Sequence, residues 1–174
     1  MQHADDTLTP YYRLDPEQLI KVVESTGLLC DGRLLALNSY ENRVYQVGIE
    51  DAAPLIIKVY RPGRWTDEQI LEEHSFSIEI SDAEIPLVPP MVINGQSLHE
   101  YEGFRFAVFE RRGGHAPELD QKETRVWLGR FLGRMHSVGA NKSFQSRPEL
   151  TVESFGYKPV KELLEGHWLP PHLE

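Results

Sequence analysis

The run Leu55-Ile56-Ile57-Lys58-Val59-Tyr60 places a lysine inside an otherwise apolar strand. Side chains alternate across a strand, so Leu55, Ile57 and Val59 take one face and Ile56, Lys58 and Tyr60 the other. An ammonium group in such a run needs a solvent outlet or a charged partner. Taken alone, Lys58 fits a solvated sheet face. The segment that follows offers a partner. Thr66-Asp67-Glu68-Gln69 is a capping box, in which the Thr hydroxyl accepts from a free backbone N–H and Gln69 reaches back. The helix it opens is expected to run to about Ser81. On that helix Ile70, Glu73, Phe76, Ser77 and Ile80 share one face, and Glu68, Glu72, Ser75 and Glu79 share the opposite one. Glu73 is therefore the carboxylate turned toward the core, and Glu72 the one turned to water. The competing reading of Glu73 is a partly exposed boundary residue.

The flanking segments set the fold class. Asp15 as N-cap and Pro16 at the first helical position open a short helix, with Leu19, Val22 and Val23 on one face and Gly27 at its stop. Leu34 to Leu37 and Arg43 to Val47 read as strands joined by the polar turn Asn38-Ser39-Tyr40-Glu41-Asn42. After the second helix come a Pro-rich connector, Ile85 to Pro90, and a short strand candidate, Met91 to Ile93. Asn94-Gly95 is a hairpin turn, Ser97 to Tyr101 returns, and Phe104 to Phe109 is a further strand. A long helix is expected over Leu119 to Val138, with Trp127, Leu128, Phe131, Leu132, Met135 and Val138 on one stripe. A last helical piece lies around Val160 to Leu164. Antiparallel hairpins with one helix between them indicate an α+β fold rather than a doubly wound parallel sheet.

Lys58 followed by Glu73 reproduces the pattern in which a helix glutamate steers a strand lysine onto nucleotide phosphates. The turn Asn38 to Asn42 is where such a fold covers the phosphates, and it contains no glycine. Ser39 and Asn42 remain as side-chain and backbone donors for phosphate oxygens, although the same residues suit an ordinary polar turn. Phe109-Glu110-Arg111-Arg112-Gly113-Gly114 stands in the position of a hinge, whose backbone would pair with adenine. There is no GxxxxGK[ST] loop, no GxGxxG fingerprint and no GxSxG elbow.

Bulk properties exclude several classes. A formal net charge of -9 argues against a broad grip on nucleic acid. Arg111-Arg112 and Arg61 with Arg64 read as a solvated rim. The seven histidines lack zinc-ligand spacing, and His136 reads as a structural histidine at the end of a core helix. The single cysteine, Cys30, reads as a small buried or half-buried residue, fits a reducing compartment and forms no internal disulfide. No apolar run is long enough to span a membrane, and the first residues, with Asp5 and Asp6, do not read as a signal peptide. A cytoplasmic protein is expected.

Several blocks in order resemble the stress-response kinase A (RdoA) family. These are Leu37 to Gln46, Lys58 to Pro62 with Arg64-Trp65-Thr66, Gln69 to His74, Phe104 to Phe109, Gly113-Gly114 and Leu132 to His136. The resemblance spans roughly residues 15 to 165. It implies a bacterial serine/threonine protein kinase with the fold of aminoglycoside phosphotransferases and choline kinases, active in stress responses. It also implies ATP and Mg²⁺ as cofactors, Lys58 on the phosphates, Glu73 holding Lys58, and Ser39, Asn42, Glu110 and Arg112 around the nucleotide. The architecture so implied is a kinase-like N-lobe over residues 15–110, a sheet of about five strands with an N-terminal helix and a C-helix. Residues 1–14 form a flexible tail, and residues 111–174 the hinge and the start of a C-lobe.

One departure limits that resemblance. The family's catalytic His-Gly-Asp segment, and the Asn and Asp that hold metal, are absent. The only His-x-Asp is His3-Ala4-Asp5, with Pro10 where the Asn would stand. Catalytic and metal-binding residues are thus expected outside these 174 residues, which alone are expected to transfer no phosphate. The apolar stripe from Trp127 to Val138 is expected to be exposed and to promote self-association. Two rival readings stay open. One is a small-molecule kinase acting on an aminoglycoside, choline or homoserine-like acceptor. The other is a non-catalytic nucleotide-binding interaction module.

Overall fold

A computed structural model describes Tyr11, residues 13–166, Trp168 and Pro170. The tail expected over residues 1–14 falls largely outside the described residues, as do His3, Asp5, Asp6 and Pro10. Among the described residues, five strands and four α-helices occur in the order α1 (Pro16–Glu24), β1 (Cys30–Leu37), β2 (Arg43–Ile49), β3 (Leu55–Val59), α2 (Asp67–Asp82), β4 (His99–Tyr101), β5 (Phe104–Glu110), α3 (Lys122–Gly139) and α4 (Lys158–Glu165). The strands form one antiparallel sheet in the order β1-β2-β3-β5-β4. The α+β class and the kinase-like lobe expected from the sequence are what the chain adopts.

Local chemistry accounts for the element ends. Asp15 Oδ1 accepts from the Gln18 N–H at 2.7 Å and Pro16 occupies the first turn of α1. α2 carries the full capping box, with Gln69 N donating to Thr66 Oγ1 at 3.3 Å and Thr66 N donating to Gln69 Oε1 at 3.0 Å. Asn94 and Gly95 both take positive φ, 53° and 79°, as a tight primed turn requires.

The sheet is covered on its two faces by different helices. Leu19, Val22 and Val23 of α1 pack with Val47, Ile57, Val59, Phe104, Phe106 and Val108 in the main core. Each such side chain contributes on the order of 1.5–3 kcal/mol by leaving water. On the opposite face Ile70 of α2 packs with Tyr60 and Ala107, and Trp65, Leu98 and Phe109 flank them. Phe76 of α2 meets Phe144, in the segment after α3, with the rings edge to face at 5.3 Å. Arg134 of α3 donates to the carbonyls of Ala83 and Glu84 at 3.0 and 3.1 Å, satisfying acceptors left free where α2 ends.

The structure departs from the sequence reading in several places. β1 starts at Cys30 rather than Leu34, because Gly32 at φ 86° and a register shift between Cys30 and Leu34 let the chain bulge and still pair. Met91 to Ile93 forms no strand; only isolated bridges, Pro90 to Phe109 and Ile93 to Gln96, are made. Prolines in the preceding stretch remove the N–H groups a ladder needs. The long helix starts at Lys122, three residues later than expected from Leu119, and carries no buried residue. His136 is accordingly exposed, not enclosed in a core. Trp127 and Leu132 are more than half exposed.

By its contacts the chain divides into two compact units, residues 1–144 and 145–174. In the second, a single π-type turn, Glu153–Tyr157, precedes α4. There the Ser154 N–H donates to Thr151 Oγ1 at 3.0 Å and Ser154 Oγ to the carbonyl of Glu149 at 2.9 Å.

Candidate functional site

Lys58 Nζ lies 2.9 Å from Glu73 Oε1. Strand alternation turns Lys58 away from the main core, toward the face that α2 covers, and the helix period brings Glu73 over it. The two side chains keep 23 % and 36 % of their surface in water, so the pair sits at a cleft edge and not inside the core. Lys58 Nζ also stands 4.6 Å from the ring centre of Tyr60, two residues along the same face.

Register extends this face across the sheet. Residues directly opposite in antiparallel strands point the same way. One row therefore runs Leu37, Val44, Lys58, Ala107, and the next runs Leu35, Gln46, Ile56, Phe109. α2 covers the Tyr60–Ala107 part of the face. Leu37, Val44, Ile56 and Phe109 stay half-buried, an apolar strip beside a cation. The sequence reading did not pick out this strip. Its signal was the parity of Leu35, Leu37, Val44 and Ile56 relative to Lys58, which becomes legible only once the register across the turns is known.

The remaining candidates sit at the two ends of the strip. Ser39 and Asn42 lie in the turn between β1 and β2, beyond the Leu37–Val44 pair and so at the Lys58 end of the strip. Ser39 is half-buried. Asn42 Oδ1 accepts from the backbone N–H of Arg61 at 3.2 Å, so its side chain already fastens the turn to the end of β3. Glu110 pairs with Leu55, three positions along β3 from Lys58, which is about 10 Å. Arg112 Nη2 donates to Glu110 Oε2 at 2.5 Å, and Arg111 Nε donates to Gln46 Oε1 at 2.8 Å. Glu110 and Arg112 are thus neighbours of each other, at the opposite end of the strip from Lys58 and Ser39. Among the described residues, no group of three or more His, Cys, Asp or Glu side chains is placed to hold a metal ion. Nor is any described helix long and apolar enough to cross a membrane.

A buried polar chain backs the ion pair. Tyr60 Oη and His74 Nε2 are 2.7 Å apart, and His74 Nδ1 and Ser97 Oγ 2.9 Å apart. Burial pushes the His74 imidazole down to about 4 from its ordinary 6.5, with Lys58 and His99 adding to the shift and Glu73 opposing it. His74 is therefore neutral at pH 7. The sequence reading assigned it no role, since polar residues on a helix are expected to face water.

The Lys58–Glu73 pair thus joins a strand to the helix that follows it, at the edge of a half-open apolar face. The model of the phosphotransferase enzyme family matches residues 33–166. The chain belongs to that family. It is 38% identical over 164 residues to stress response kinase A of Escherichia coli K12, a match that covers 94% of this chain and 50% of that protein. It is 37% identical over 166 residues to the serine/threonine protein kinase RdoA of Salmonella typhimurium LT2, covering 95% of this chain and 51% of that one. The chain spans about half the length of the curated relatives it matches. Among solved structures, amicoumacin kinase in complex with AMP-PNP and Ca²⁺ superposes with a TM-score of 0.68 at 19% identity, over 96% of this chain and 57% of that one. A fructosamine-3-kinase homologue from Thermobifida fusca superposes with a TM-score of 0.51 at 16% identity, over 91% of this chain and 57% of that one. At these identities the two structures show the shared fold. This family member therefore presents Lys58 and Glu73 on the scaffold of known kinases.

Proposed function

We propose that this chain is the nucleotide-binding lobe of an ATP-dependent serine/threonine protein kinase that acts in a bacterial stress response. The observation that carries the proposal is the Lys58–Glu73 pair at 2.9 Å beside the half-buried strip Leu37, Val44, Ile56 and Phe109. The strip offers apolar surface to a flat base. Backbone groups around Glu110 and Arg112 stand at its far end, where they can pair with the edge of the base. Lys58 and the turn at Ser39 stand at the near end, where the polyphosphate would lie. Glu73 keeps the ammonium aimed into the cleft, and the ammonium compensates phosphate charge.

The protein acceptor is supported by the likeness to RdoA, which is described as a serine/threonine protein kinase, and the stress response by the likeness to stress response kinase A. Mg²⁺ would enter on the ATP phosphates. The described residues offer it no cluster of ligands. The chain's own contribution is to hold and orient the nucleotide; no catalytic base is assigned among its residues. The exposed stripe of Trp127 and Leu132 on α3 supports association between apolar surfaces, which light scattering reads directly.

The deciding experiment is titration calorimetry of the 174-residue chain with ATP and Mg²⁺, wild type against Lys58→Ala. Saturable binding weakened about 10–100-fold by the substitution is expected, the range for losing a charge-assisted hydrogen bond. Equal affinity in the two proteins would remove Lys58 from the site.

A further inference from the structure

Two links run side by side to α2, from β3 and from the residue just after it. The outer one is Lys58 to Glu73. The inner one is Tyr60 to His74, and each of its partners retains only 2% of its surface in water. The links are staggered by two residues on the strand side and by one on the helix. An ion pair as exposed as Lys58–Glu73 contributes little by itself and cannot hold a helix in place. A buried hydrogen-bonded pair is different, because each polar group has no water to fall back on if the helix turns or slides. Ser97, from the segment before β4, closes the chain on the other ring nitrogen of His74, so the helix is gripped from two separate segments of the fold.

We propose that Tyr60 and His74 are positioning residues: the buried Tyr60–His74–Ser97 chain fixes the rotation of α2 so that Glu73 meets Lys58, and the Tyr60 ring supports the ammonium beside it. The functional consequence rests on the reading of Lys58 as the phosphate-gripping lysine; the geometric consequence does not. Tyr60 acts through Lys58, and His74 acts through Glu73, the residue next to it on α2. The nucleotide need touch neither.

The test has two readouts on the full chain. The first needs no nucleotide. A water-soluble carbodiimide joins a lysine amine to a carboxylate in direct contact, so the yield of the Lys58–Glu73 amide, read by peptide mass spectrometry, reports the pair itself. Tyr60→Phe keeps the ring and removes the hydroxyl. His74→Leu keeps the volume and removes both hydrogen bonds, and His74→Gln restores one polar partner. Val22→Ala, in the core against α1 on the other face of the sheet, serves as a control for lost stability alone. We expect the amide yield to fall severalfold in Tyr60→Phe and His74→Leu, to recover in part in His74→Gln, and to stay at the wild-type level in Val22→Ala. The second readout is ATP affinity, expected to fall about tenfold in the same two variants and to follow the amide yield. Unchanged yield in Tyr60→Phe and His74→Leu overturns the proposal. Should His74→Leu fail to fold, Tyr60→Phe decides alone. A wild-type chain that binds no ATP, while Tyr60→Phe still loses the amide, overturns the nucleotide reading and leaves the positioning role standing.

Discussion

Trp65 Nε1 donates to Glu41 Oε1 at 2.8 Å, tying the segment that leaves β3 to the turn between β1 and β2. The other carboxylate oxygen of Glu41 accepts from Arg64 Nε at 3.3 Å. The Tyr11 hydroxyl donates to the Glu41 carbonyl at 3.1 Å. A turn without glycine is thus held from outside by its neighbours. Trp65→Phe keeps an aromatic ring and removes the N–H. It should cost about 1.5–3 kcal/mol, as for a hydrogen bond to a charged acceptor. Urea unfolding measures that cost, and hydrogen exchange should show faster exchange at Tyr40 to Asn42.

Glu73→Gln removes the charge that faces Lys58 and keeps the shape. Both side chains are partly in water, so folding stability should change by less than about 1 kcal/mol. ATP affinity should fall about tenfold, because the ammonium loses its anchor. A large loss of stability with unchanged affinity would show the pair to be structural.

His74 predicts an acid-sensitive fold. Its folded value, about 4, lies below its ordinary 6.5, so the unfolded chain binds a proton that the folded chain does not. Stability from this residue is fully present above about pH 6.5. It declines as pH falls toward 4 and then levels off, a loss on the order of 3 kcal/mol at most. The groups facing the imidazole are Lys58 from β3 and Tyr60 just after it, Ser97 and His99 from the β4 region, and Glu73 on its own helix. Urea unfolding of wild type and His74→Gln at pH 7.5, 6 and 5 checks this: the gap between the two proteins should narrow as pH falls.

Arg134→Met keeps the aliphatic stem and removes the donors that close the end of α2. A cost of about 0.5–1.5 kcal/mol is expected, a shift of a few degrees in Tm for a chain of this size. Differential scanning fluorimetry reads it. An unchanged Tm would mean that water replaces the guanidinium at Ala83 and Glu84 without loss.

Cys30 should react slowly. Burial, helped by Glu24, Asp31 and Glu50, pushes its thiol up to about 11 from 9.0. The thiolate fraction at neutral pH drops roughly a hundredfold, and the rate of alkylation by iodoacetamide should drop with it. The rate in urea provides the unfolded reference.

The elements with strong local chemistry were legible in the sequence. Asp15-Pro16, the Thr66–Gln69 capping box and the Asn94-Gly95 turn each satisfy backbone groups within a few residues, so they needed no partner elsewhere. Helix and strand periodicity were enough to set Glu73 and Lys58 on facing surfaces, and the ion pair forms as that reading expected. Asn42 shows the limit: residue type alone did not indicate that its side-chain oxygen accepts from the Arg61 N–H, a contact made across 19 residues.

What the sequence by itself determined is most of the elements, the α+β class and the polarity of each face, because caps, turns and side-chain periods act over a few residues. The tertiary structure alone decided which face each helix covers, how the rows of Leu37, Val44, Lys58 and Ala107 line up, and where His74 goes. Those outcomes depend on register and on long-range pairing. A polar residue such as His74 can be buried only where two partners from distant segments, Tyr60 and Ser97, arrive to satisfy it.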